Sequence, residues 1–222
     1  MKIAGADYGS KLAGTTVIAH VENNKVHFLQ SEKKKDADQF LLKSIEDLRI
    51  EFLFLDAPLS LPGVYRNLPH HDNYFYRKVD VELKAMSPMF LGGLTARAMR
   101  LKKELGKSGV EVMETYPSML AKRFQLKDFH YKKQKEHLIA CFNFLIQQLE
   151  WSYKVPTPEN WHQLDALLAF YSAWRYENGV HDVFGTKEEG MVSSICRDGC
   201  DSALASAGCP AWDGARGQRR HG

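Results

Sequence analysis

The amino-terminal segment sets short apolar runs between glycine and asparagine breaks: "KIAGADY", then "GTTVIAHVE", then "KVHFLQSE". Runs of this length bounded by turn formers predict strands, and Asn23-Asn24 marks a hairpin turn between the second and third. Three sequential strands with tight turns predict an antiparallel meander. The period then changes. "DADQFLLKSIEDLRI" carries apolar residues at 40, 41, 42, 45, 48 and 50 with acids at its start, which predicts an amphipathic helix. "EFLFLDAP" reverts to a short continuous apolar run, a buried strand expected to lie parallel to the first because a helix makes the crossover.

Residues 57–108 read as an insert. Turns around Pro58, Pro62-Gly63 and Pro69 precede two predicted helices, "NYFYRKVDVELKAM" and "LTARAMRLKKELGKSG", the second stopping on glycine. "VEVMETYPSM" predicts another strand, followed by a basic stretch, "AKRFQLKDFHYKKQKEH", and an apolar helix through Cys141. The last clear element is a helix in "TPENWHQLDALLAFYSAWRYENG", with Thr157-Pro158 as its start and Gly179 as its stop. The order β-β-β-α-β-insert-β-α-α predicts α/β architecture, one mixed sheet with helices on its faces.

Composition narrows this modestly. The chain has 222 residues, 44% of them hydrophobic, which suits one domain over 1–195. A formal charge of +3 permits nucleic acid as a partner without arguing for it. No apolar run of ~20 residues and no secretory pattern occurs, so no membrane partner is expected and the cytoplasm is the default location. After Ile195 the composition shifts abruptly to Gly, Ala and Arg, and 196–222 reads as a disordered or non-native tail. Its Cys196, Cys200 and Cys209 lack zinc-ligand spacing, and Cys141 reads as a buried thiol.

Asp7 changes the picture most. Aspartate is depleted in strands and costly to bury unpaired, yet it stands in the first strand. Asp56 and Glu114 also fall at or near the carboxyl ends of apolar strands, where open α/β sheets build their sites. Asp165 lies in the last helix among Ala166, Ala169 and Ala173, small residues that permit close approach to the sheet. Converging carboxylates repel unless a cation sits among them, and hard oxygen ligands suit Mg²⁺ or Mn²⁺. Taken singly, Asp56 reads equally as a turn former, and Glu114 as the partner of a nearby arginine.

These residues carry a resemblance. "GADYGSKLAGTT" is similar to the first-strand motif of the RNase H-like superfamily, as in RuvC-type resolvases, and "HQLDALLAFYSAW" to its last helix. More closely, residues 1–195 resemble the predicted RNase H-like nucleases grouped as domain of unknown function family 429. The landmarks are "LDAPLSLP", "YRKVDVELK", "LTARAMRLKKEL", "METYPSM", "DALLAFYSAWRYENG" and "EEGM". The resemblance implies a ribonuclease H-like fold with a five-stranded sheet, three strands antiparallel and two parallel. It implies a nuclease that uses two metal ions, with Asp7, Asp56 and Asp165 as ligands and Glu114 as a further catalytic acid. His162 is a candidate for handling protons.

For nucleic acid, the insert offers Tyr65, Arg66, Tyr74, Phe75, Tyr76, Arg77 and Lys78, aromatics interleaved with basic residues, and Arg97 lies beyond them. The plainer reading is core aromatics, a solvated basic face and an Arg77–Asp80 pair. Lys122 to Lys135 reads as an exposed basic face able to bind phosphates. A non-catalytic module binding nucleic acid or nucleotide is the alternative function. An actin-like phosphotransferase lacks its second phosphate loop here.

Overall fold

A computed structural model describes residues 1–195. β1 (Ile3–Asp7), β2 (Val17–Glu22) and β3 (Lys25–Gln30) form the expected antiparallel meander. Asn23 and Asn24 both take positive φ, 49° and 60°, the conformation that a two-residue hairpin requires. α1 (Ala37–Leu48) starts on Asp36, whose carboxylate accepts the backbone N–H groups of Asp38 and Gln39 at 2.9 and 3.3 Å. It returns the chain to β4 (Phe52–Asp56), parallel to β1 and in register so that Asp7 lies beside Asp56.

The insert contains α2 (Lys78–Leu83) and α3 (Pro88–Leu91), and α4 (Gly93–Lys107) leads out of it into β5 (Glu111–Thr115), which is parallel to β4. α5 (Pro117–Arg123), α6 (Leu138–Gln148) and α7 (Trp161–Glu177) follow, then β6 (His181–Thr186) and β7 (Gly190–Ile195). The sheet order is β3-β2-β1-β4-β5-β7-β6. It therefore has seven strands, not the expected five. β7 adds parallel to β5, and β6 closes the edge antiparallel to β7. The reason β6 escaped is physical. An edge strand with no fully buried position shows no period of two.

Two further expectations are corrected. The helix predicted over 73–86 is only α2, because the Asn73 side chain accepts the N–H groups of Phe75 and Tyr76, both at 2.9 Å, and holds that stretch in a turn. The last helix starts at Trp161 rather than at Thr157-Pro158, with Asn160 capping the N–H of Gln163 at 3.1 Å. Gly179, at φ 71°, stands just past its end as expected. The tail reading and its cysteines lie outside the described residues. Among the described residues no helix is long and apolar enough to cross a membrane.

Each sheet face buries a separate core. Ala4, Ala6, Leu53 and Leu55 pack against Leu41 and Ile45 of α1 and Ala98 and Leu101 of α4. On the other face Val17, Ala19 and Phe54 meet Leu164, Leu167 and Leu168 of α7. α7 crosses β1 so closely that a Cβ on Gly5 would lie 2.0 Å from the Phe170 backbone nitrogen. That approach brings the helix acid to the strand acids.

Candidate metal centre

Gly5 and Asp7 share one side of β1, as Phe54 and Asp56 share one side of β4, and this is the side that α7 covers. Asp165 projects from α7 onto the same place. One carboxylate oxygen from each of Asp7, Asp56 and Asp165 lies within 4.8 Å of the others. Asp7 and Asp165 are buried, and Asp56 is half-buried. The expected ligand set is brought together.

Its surroundings show what the charges demand. Burial, then the charges of Asp7 and Asp165, pushes the Asp56 carboxyl well above the usual range. Burial likewise raises Asp165 to about 6 against the pull of Lys132. Tyr131 donates its hydroxyl to Asp165, and the Lys132 ammonium pairs with the other Asp165 oxygen. Burial works against the Lys132 charge, yet the three carboxylates outweigh it and hold its pKa above the ordinary value. His162 Nδ1 lies 2.7 Å from Asp7 Oδ2, and that hydrogen bond raises the imidazole pKa. An all-oxygen donor set that already draws in an ammonium fits a hard divalent cation.

Glu114 goes elsewhere. In the parallel register it lies beside Leu55, one residue short of Asp56, so it faces the opposite side of the sheet. The position beside Asp56 falls to Thr115, whose hydroxyl donates to Ser172 of α7 at 3.0 Å. Glu114 instead takes the Arg77 guanidinium at 2.6 and 2.7 Å and the Leu59 N–H at 2.9 Å. Arg77, 1% exposed, also donates to Asp80 and Ser60. Its expected role in substrate contact is thus replaced by an internal one. With Glu189, which accepts the Gly63 and Lys78 N–H groups at 2.9 and 2.8 Å, this network pins the insert to the sheet.

Arg97 is similarly committed. It pairs with Asp38 at 2.6 Å, donates to the Gly9 carbonyl at 3.1 Å and lies over the Tyr8 ring. Of the expected substrate contacts, the Lys78 side chain remains exposed, and Tyr76 is half-buried with its ring edge-on to Phe90. Asp7, Asp56, Glu114 and Lys132 line a cleft of about 340 Å³, which Leu83, Met86 and Leu91 of the insert wall on its apolar side. Tyr131 and Lys132 were missed as site residues. They stand in an irregular loop with Lys132 at φ 58°, where no sequence period fixes which side chain turns inward.

Two predictions arise here. Arg77→Ala leaves Asp80 and Glu114 buried without a counter-charge, so urea denaturation should show a loss of about 3–5 kcal/mol. Arg77→Lys should recover little of it, since one ammonium cannot replace a planar donor fork.

The second concerns pH. Asp165 titrates near 6 when folded against 3.8 ordinarily, so the folded state holds more protons between those values. Metal-free stability from this group should therefore fall as pH rises from 3.8 towards 6. Urea denaturation in EDTA should show that fall in wild type and a flatter profile in Asp165→Asn.

No family model matches the chain, and no curated protein matches it.

Proposed function

We propose that this chain is a metal-dependent nuclease of RNase H-like fold, hydrolysing phosphodiester bonds at Asp7, Asp56 and Asp165. The observation that carries the reading is the convergence of three carboxylates from β1, β4 and α7 within 4.8 Å, at the carboxyl ends of parallel strands and beside an open cleft. Mg²⁺ or Mn²⁺ bound there would supply positive charge for the attacking and leaving oxygens of the displacement. Asp7, Asp56 and Asp165 hold that charge. His162, hydrogen-bonded to Asp7 and with its side chain 43% exposed, orients that carboxylate from a position open to solvent. Lys132, on the cleft wall, reaches a phosphate oxygen once released from Asp165. Glu114 serves as a positioning residue through Arg77 rather than as a ligand. We place the activity in the cytoplasm, where a free buried thiol such as Cys141 stays reduced.

A second reading, a non-catalytic module that binds nucleic acid or nucleotide, draws on the Lys132–Asp165 pair, which already gives the cluster a counter-charge. The two readings separate in one assay. Wild type and Asp7→Asn are incubated with RNA, RNA–DNA hybrid, single- and double-stranded DNA and a four-way junction, with Mg²⁺ or Mn²⁺. The nuclease reading expects cleavage of at least one substrate and a loss of about 10³-fold or more in the variant. No cleavage by either protein would favour the binding module, and equal cleavage by both would remove Asp7 from the chemistry.

A further inference from the structure

Beside the cleft, the insert presents aromatic surface that its own packing does not explain. Phe75 and Phe90 are 54 and 65% exposed, and Met86, which lines the cleft, is 59% exposed. Phe75 and Phe90 have ring centroids 5.6 Å apart, and Tyr76 meets Phe90 edge-on at 5.8 Å. The ring-bearing backbone is fixed by polar groups. The Asn73 side chain holds the Phe75 and Tyr76 N–H groups, and the Ser87 hydroxyl, itself the cap of α3, donates to the Phe75 carbonyl. Exposed aromatics held in place form a preorganised contact surface. The same cleft is lined by Lys132, whose loop carries exposed Lys127, Lys133 and Lys135 against Asp128 and Glu136.

We propose that Phe75 and Phe90 form a stacking ledge for unpaired bases, so that this site takes single-stranded nucleic acid whose phosphates run to the lysines of the 127–135 loop. The inference rests on the nuclease reading for what happens at the acids, but binding at the ledge is independent of cleavage. Base faces are free only in unpaired strands, because a duplex hides them in its own stack. The ledge supplies apolar faces and the loop supplies positive charge, the combination that single strands require.

The test is fluorescence anisotropy with short labelled oligothymidylate, oligouridylate and a matched duplex, in EDTA so that no strand is cut. Wild type should bind the single strands more tightly than the duplex. Phe75→Ala/Phe90→Ala should lose about 30-fold on single strands, as expected for two stacked bases, with duplex binding and melting temperature unchanged. Lys133→Gln should lower the salt slope by about 0.7. A duplex preference, or single-strand binding unaltered in the double variant, would overturn the proposal. So would a concentration-dependent dimer abolished by Phe90→Ala, which would assign the ledge to a second copy of the chain. Lost single-strand binding with no cleavage of any substrate would sustain the ledge and remove the nuclease. Cleavage confined to duplex, unchanged in the double variant, would do the reverse.

Discussion

Asp56→Asn is expected to raise the melting temperature of the metal-free protein and to abolish the further rise that Mg²⁺ or Mn²⁺ gives the wild type. Three carboxylates with oxygens within 4.8 Å cannot all ionise without mutual repulsion, and Lys132 compensates only from the Asp165 side. Asparagine keeps the shape of the side chain, removes one charge and offers donors to its neighbours. The relief should appear as a rise of several degrees in melting temperature for a chain of this size. A cation that binds only the folded state stabilises it by mass action, so the wild type should overtake the variant as metal is added. Calorimetry with EDTA and then with excess metal checks both halves. A variant that melts below the wild type in EDTA would show that Asp56 stabilises the fold directly. The cluster would then have no need of a cation.

The largest effect on folding is expected at Gly5. A methyl group there would lie 2.0 Å from the Phe170 nitrogen and 2.4 Å from the Ala169 carbonyl carbon, both of them backbone atoms of α7. No rotamer change relieves a clash with backbone, so helix and sheet must separate. Gly5→Ala should cost about 4 kcal/mol or more and leave little soluble folded protein. Gly106→Ala is the control. It lies in α4 with nothing within 4 Å of the added methyl, and should stabilise by about 0.5–1 kcal/mol. Soluble yield and urea denaturation of the pair would separate a steric requirement at Gly5 from a general intolerance of alanine. The same close approach places Asp165 against Asp7, so milder substitutions at this crossing should weaken metal binding before they unfold the chain.

The parts of the fold that came through in the sequence are those with at least one buried side. β1 to β4 and α1 have apolar runs or stripes facing a core, and the Asn23-Asn24 turn has its own chemistry. β6 has no such side, and 73–77 is shaped by an asparagine turn and by a buried arginine that binds Ser60 and Glu114, 17 and 37 residues away, as well as the nearby Asp80. The acids divide on the same principle. Asp7, Asp56 and Glu114 look alike in sequence, each near the end of an apolar strand. What separates them is a shift of one residue in the pairing of β4 with β5, which turns Glu114 to the other sheet face. Register between strands joined by a long insert is a tertiary property. Lys132 was hidden for a related reason, since a loop has no period to reveal its inward position.

Central to this account is a divalent cation held by Asp7, Asp56 and Asp165. The direct measurement is an anomalous difference map from crystals grown with Mn²⁺. A strong peak among the three carboxylates, with the Lys132 ammonium displaced from Asp165, is the predicted result. Carboxylates without a peak at saturating Mn²⁺, with Lys132 still paired to Asp165, would contradict it.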